Sequence, residues 1–69
     1  MKLAATRQPD GVLLEWTGGL EAEEYVVHRG PVSFRVPGSP YLDLEAPNEP
    51  TDYRVEALYV ETISNRVTI

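Results

Sequence analysis

Leu44-Glu45-Ala46-Pro47-Asn48-Glu49-Pro50-Thr51-Asp52-Tyr53-Arg54-Val55-Glu56-Ala57 is the stretch that decides the fold. Leu44 closes one alternating run, and Tyr53, Val55 and Ala57 share a face of the next. Side chains alternate across a strand with a period of two, so both runs read as half-buried β-strands. Between them, Pro47 and Pro50 fix φ and remove two backbone donors. The chain must leave one strand, turn a corner and enter another that carries Tyr53 near its start.

The same alternation recurs outward from this corner. Upstream, Leu42 and Leu44 alternate with Tyr41 and Asp43, and Val12, Leu14 and Trp16 alternate with Leu13 and Glu15. Tyr25 and Val27 share a face, with Val26 and His28 opposite. Val32, Phe34 and Val36 alternate with Ser33 and Arg35, fenced by Pro31 and Pro37, which suits an edge strand. Downstream, Val67 and Ile69 alternate with Arg66 and Thr68. Thr17-Gly18-Gly19-Leu20 reads as a turn, and Pro37-Gly38 fits the centre of a type II turn. Residues 20–24 are enough for one helical turn and no more. Short strands with turn signals between them predict an all-β sandwich or barrel. The expected core is Leu3, Val12, Leu14, Trp16, Tyr25, Val27, Phe34, Leu42, Leu44, Tyr53, Val55, Ala57, Val67 and Ile69.

The chain has 69 residues, no cysteine and a net charge of −5. That length suits a single domain over residues 1–69, which buries only about 60% of the surface of its unfolded chain. Hydrophobic content of 42% is enough for a packed core and argues against disorder. The acidic balance, with no basic cluster, disfavours nucleic acid and anionic membranes as partners. No stretch approaches the roughly 18 apolar residues of a spanning helix. The first residues lack the apolar centre of a signal peptide. If the chain is whole, it is not exported by a signal of its own and is expected in a virion or the cytoplasm. If it is a domain of a longer secreted chain, it is extracellular.

The pattern resembles the fibronectin type III domain of the immunoglobulin-like sandwich superfamily, in a short variant. Leu3-Ala4-Ala5 looks like its strand A. Asp10 to Thr17 looks like strand B, with Trp16 as its core tryptophan. Tyr25-Val26-Val27-His28-Arg29 looks like strand C, Leu44 to Ala57 like the corner and strand F, and Ser64 to Ile69 like strand G. The resemblance implies a two-sheet antiparallel sandwich of about seven strands, grouped A-B-E and C′-C-F-G. It also implies that Tyr53 ties its hydroxyl to upstream backbone. The family's domains run longer, so the loops here must be short. Arg29-Gly30-Pro31 is not the Arg-Gly-Asp adhesion tripeptide.

Chemistry-bearing constellations are few. His28 is the single histidine, and no Gly-x-Ser-x-Gly elbow accompanies it. It reads as a surface histidine. One His and no Cys exclude the usual zinc patterns. Glu21, Glu23 and Glu24, and then Asp43 with Glu45, read as solvated loop charges without EF-hand spacing. Whether they take calcium is left open. No catalytic residue, cofactor or metal ligand is assigned, a small-molecule ligand is not expected, and the chain reads as a non-enzyme.

The outer face of the C-F-G sheet is the candidate interface, expected to carry Val26, His28, Arg54, Glu56, Leu58, Arg66 and Thr68. Val26 and Leu58 are apolar where a free surface would be polar. Tyr59, Val60 and Ile63 add apolar material at the following turn. The leading expectation is a structural or protein-binding module that docks on a larger assembly, such as an accessory or decoration protein of a bacteriophage particle. The alternative is a spacer or carbohydrate-associated module of a secreted multidomain bacterial enzyme.

Overall fold

Two antiparallel sheets pack their apolar faces together in the computed structural model, which describes residues 1–18, 22–60 and 62–69. Among these residues there is no helix, and hence none long and apolar enough to cross a membrane. The strands are β1 (Lys2–Gln8), β2 (Gly11–Thr17), β3 (Tyr25–Arg29), β4 (Val32–Val36), β5 (Tyr41–Asp43), β6 (Asp52–Ala57), β7 (Thr62–Ile63) and β8 (Val67–Thr68). One sheet has the order β1-β2-β5. The other runs β4-β3-β6-β7, with β8 also on β6.

The hairpins are tight. Gln8 pairs with Gly11, so Pro9 and Asp10 alone connect β1 to β2. Arg29 pairs with Val32, leaving Gly30-Pro31 as a two-residue loop. Gly30 sits at φ 54°, a conformation glycine adopts without a Cβ penalty. Gly11 has a different reason to be glycine. A Cβ there would run into the Asp43 carbonyl oxygen of the neighbouring strand.

The core draws Leu3, Val12, Leu14 and Trp16 from the smaller sheet and Val27, Val36, Tyr53, Val55 and Ala57 from the larger. Fully burying a Val or Leu side chain contributes about 1.5–3 kcal/mol, so these positions supply most of the driving force. Trp16 meets Tyr25 edge-on, with ring centroids 5.4 Å apart. Phe34 tilts against Tyr41 at 5.7 Å.

β5 departs from expectation. Its pairing sets Tyr41 opposite Leu14 and Asp43 opposite Val12, so these two face inward. Leu42 pairs with Leu13 on the outer side, and Leu44 is 68% exposed in the turn after the strand. Leu42 and Leu44 are therefore not core residues, and Asp43 is not a solvated loop charge. A one-residue change of register exchanges the two faces of a strand. What holds this register is an ion cluster. Asp43, 2% exposed, takes two hydrogen bonds from Arg29 Nη1 at 2.8 and 2.9 Å. It takes another from the Tyr53 hydroxyl at 2.7 Å and one from the Glu45 backbone N–H at 3.2 Å. The Arg29 guanidinium also stacks on Phe34, 5.1 Å from the ring centroid. Tyr53 thus bonds to a side chain, not to the upstream backbone expected of it. Its pKa is raised, first by burial and then by donating to Asp43. Arg29 is raised too, chiefly by its hydrogen bond to Asp43.

The last strand is broken. Ser64 Oγ accepts from the Val55 N–H at 2.8 Å, and the Ser64 N–H donates to the Val55 carbonyl at 2.8 Å. A side-chain oxygen thus stands in for a backbone carbonyl in the ladder, which splits the strand into β7 and β8. The kink sends Asn65 across to β1. Its Oδ1 accepts from the Leu3 N–H at 2.8 Å and its Nδ2 donates to the Leu3 carbonyl at 3.2 Å. This amide bridges the edges of the two sheets. At the proline corner, Arg7 donates to the carbonyls of Pro47, Glu49 and Ile69, each at 3.1 Å.

Two further expectations change. Residues 37–40 form a bend in which Gly38 lacks the positive φ of a type II turn, and the Ser39–Pro40 bond is cis. Ser39 Oγ there accepts from the Trp16 N–H at 3.0 Å. The helical turn read over 20–24 falls partly outside the described residues, and 22–24 are not helical. Gly19 and Leu20 of the neighbouring turn, and Glu21 of the acidic group, also lie outside them.

Asp43→Ala should cost about 3–5 kcal/mol, because it strands the largely buried Arg29 charge. Tyr53→Phe should cost about 1.5–3 kcal/mol through one lost hydrogen bond to a charged group. Urea denaturation midpoints of the two variants check the order. An unchanged midpoint in Asp43→Ala would remove the cluster as the organiser of β5.

The raised Tyr53 pKa has a definite sign. Below the unfolded value of about 10, both states keep the proton and the contribution is intact. Above it, the unfolded chain releases the proton while the folded chain holds it, so stability falls as pH rises. Thermal midpoints should decline above about pH 10. The decline should be shallower in Tyr53→Phe, and equal slopes in the two proteins would rule out Tyr53 as its source.

Candidate functional site

β6 positions the candidate face. With Tyr53, Val55 and Ala57 committed to the core, Arg54 and Glu56 must point outward. Pairing then fixes their neighbours. Val26 lies opposite Glu56 and Arg35, and Glu56 lies opposite Ile63, which makes one cross-strand row of Arg35, Val26, Glu56 and Ile63. The next row is Ser33, His28 and Arg54, and beyond it Asp52 faces Thr68. Of the expected interface residues, Val26, His28, Arg54 and Glu56 share the sheet face, with Thr68 two strand positions from Arg54. Arg66 is exposed in the segment between β7 and β8. Leu58 follows β6 in the turn, half-buried, with its N–H donated to the Glu24 carbonyl at 3.1 Å.

Val26 and Leu58 are half-buried, yet neither is among the partly buried residues that pack on the core, which include Met1, Ala5, Tyr25, Phe34 and Tyr41. Their apolar surface belongs to the outer side. At the same end, Ile63 is 49% exposed and Tyr59 is 88% exposed. Tyr59 also has φ 67°. A non-glycine residue in the left-handed region costs on the order of 1–3 kcal/mol, and such strain clusters at functional sites.

His28 is less isolated than its sequence neighbourhood indicates. Its Nδ1 lies 2.9 Å from Ser33 Oγ and its Nε2 lies 3.2 Å from Glu56 Oε1. When Nε2 carries the proton toward Glu56, Nδ1 accepts from the Ser33 hydroxyl. That is a hydroxyl, a base and an orienting carboxylate in sequence. The three residues lie on neighbouring strands of one open sheet face, Ser33 on the edge strand β4, His28 on β3 and Glu56 on β6. The signal for Ser33 was present in the sequence. A two-residue Gly30-Pro31 loop pairs Arg29 with Val32 and hence His28 with Ser33.

Toward the β3–β4 hairpin, a depression of about 230 Å³ is lined by His28, Gly30, Asp52, Tyr53, Arg54 and Arg66. Asp52 is engaged by the Thr68 hydroxyl. Arg54 and Arg66 form no ion pair among the described residues, where the pairs found are His28–Glu56, Arg29–Asp43 and Arg35–Glu24.

The opposite outer face holds an apolar group in which Leu13 lies where alternation puts it, while Leu42 and Leu44 were expected in the core. Leu13 and Leu42 are cross-strand neighbours there, and Leu44 is exposed in the turn beyond β5. Among the described residues, no three of His, Cys, Asp or Glu gather in a way that could hold a metal ion. Comparison with protein-family models, with curated proteins and with solved structures finds no match to this chain.

Proposed function

We propose that this chain is a non-catalytic docking module that attaches to a larger protein assembly through the outer face of the β4-β3-β6-β7 sheet and the β6–β7 turn. The observation that carries the reading is Tyr59. The fold holds an aromatic side chain almost fully in solvent, in a strained conformation, where it contributes nothing to the core. Aromatic residues are the usual anchors of protein interfaces. Leu58 precedes this anchor in the chain, Ile63 and Val26 add apolar surface on the adjoining sheet face, and Glu56, Arg35 and Arg54 supply charge there, the anatomy of a modest interface.

The module is read as fibronectin type III-like. The separation of β1-β2-β5 from β4-β3-β6-β7 supports this, as do the interior Trp16 and the Tyr53 that follows the proline corner. A fold hosts many functions, so the docking role rests on the face and the turn. An accessory protein on a bacteriophage particle is the setting that suits such a small sandwich.

Tyr59→Gly separates docking from folding. Glycine relieves the positive φ, so the denaturation midpoint should hold or rise by up to about 1 kcal/mol in stability. Isolation of the tagged protein from its source cells should yield a partner with wild type and lose it with Tyr59→Gly and with Leu58→Glu. Leu44→Glu, on the other sheet's side, should keep it. Equal recovery with all four proteins would refute the face.

The non-catalytic reading has its own check. His28→Ala and Ser33→Ala should leave hydrolysis of an activated ester at the wild-type rate, which should equal that of buffer. A wild-type rate that collapses in both variants would make the Ser33, His28 and Glu56 array a catalytic site.

A further inference from the structure

We infer that the depression between Arg54 and Arg66 is a carboxylate-binding subsite, and that the partner docking on this face brings an acidic side chain into it. This rests on the docking reading above and adds the chemistry of the partner. The acidic net charge of −5 points at first sight to a basic partner surface. The placement of the cations reverses that for this face. The chain has six Lys and Arg residues. Arg29 is neutralised by buried Asp43, Arg35 leans toward Glu24 at 3.8 Å, and Arg7 is spent on three carbonyls of the proline corner and the chain end. Lys2, Arg54 and Arg66 form no ion pair among the described residues; Lys2 lies on β1 of the other sheet, whereas Arg54 and Arg66 line the same depression.

Asp52 accepts from Thr68 and Glu56 lies against His28, and in the lining itself two guanidinium groups stand against the single Asp52 carboxylate. Two guanidinium groups on one hollow suit a planar carboxylate, which each can meet with paired N–H donors. Size and surroundings choose between anions. About 230 Å³ accommodates one carboxylate-bearing side chain. A nucleic-acid backbone would bring a row of phosphates past Asp52 and Glu56 and against the acidic charge of the whole chain.

The test is a titration of the protein with a short glutamate-rich peptide at low ionic strength, followed by NMR of backbone amides and arginine side chains. The signals of Arg54, Arg66, His28 and Gly30 should move together, and added salt should reverse the movement. Arg54→Gln and Arg66→Gln should each weaken the response about tenfold, at an unchanged denaturation midpoint. Leu58→Glu and Tyr59→Gly should keep the response, because the peptide carries no apolar anchor. Failure of the docking reading would therefore leave this result standing, and the reverse also holds. A lysine-rich peptide that moves the same signals would overturn the inference. So would a glutamate peptide that moves none of them. A single-stranded oligothymidylate that moves them more strongly than the peptide would overturn it by assigning the site to phosphate.

Discussion

A carboxylate inside a small apolar core is the constraint on which the rest depends. Removing an ion from water costs several kcal/mol, which a protein offsets only when the ion's hydrogen-bonding sites are filled in good geometry. Asp43 fills them from Arg29, Tyr53 and the Glu45 N–H. Those groups sit on β3, on β6 and in the turn after β5. The arrangement exists only when all three strands hold one mutual register, and a slip of one residue in any of them leaves a buried charge unpaired. β5 itself has three residues, too few for its ladder alone to define its position. The ion cluster supplies the definition, with the glycine approach at Gly11 to match.

Choosing that register has consequences on the surface. Turning Asp43 inward turns Leu42 outward and leaves Leu44 in solvent, against the apolar preference of both. The molecule gives up leucine burial at this strand and gains a satisfied network in return. The cluster also uses Arg29, which stacks on Phe34 and so ties β4 to the same centre. The far edge is closed by different means. Asn65 offers β1 a donor and an acceptor like a short piece of backbone, and Ser64 repairs the ladder that Asn65 interrupts. Exposed strand edges invite pairing with other chains, and this amide bridge covers part of one.

Much of the fold was legible in the sequence because burial on one face leaves a period of two. Val12, Leu14, Trp16, Val27, Tyr53, Val55 and Ala57 all fall where alternation puts them. β5 was misread for a physical reason. Its alternation is ambiguous, with Leu42 and Leu44 on one parity and Tyr41 and Asp43 on the other. Apolar counting favours the leucines, and only the distant Arg29 and Tyr53 reverse the choice. Val36 belongs to the core although the expected set omits it, because the alternating run through Phe34 carries it inward. On the candidate face, strand parity was enough to place Val26, His28, Arg54 and Glu56 together. It could not show that Ser33 and Glu56 both reach His28, which takes the register of the β3–β4 hairpin together with that of the distant β3–β6 pairing. Nor could it show that Tyr59 lies at positive φ, a property of the turn backbone with no signature in its residues.

The surface also separates two ranges of electrostatics that a net charge merges. At physiological ionic strength charges are screened beyond about 8 Å, so an approaching partner feels the whole chain weakly and the nearest side chains strongly. The whole chain is acidic. Locally, the hollow that His28 helps to line presents two arginines against one carboxylate, Asp52. A polyanion is discouraged by the first property and a single carboxylate is favoured by the second. Such an arrangement adds selectivity more than affinity. On the docking proposal, affinity comes from desolvating Tyr59, Leu58 and Ile63 at the other end of the same face. In the proposed docking, the aromatic turn would supply the attraction and the arginine hollow would set the orientation in which a partner can use it.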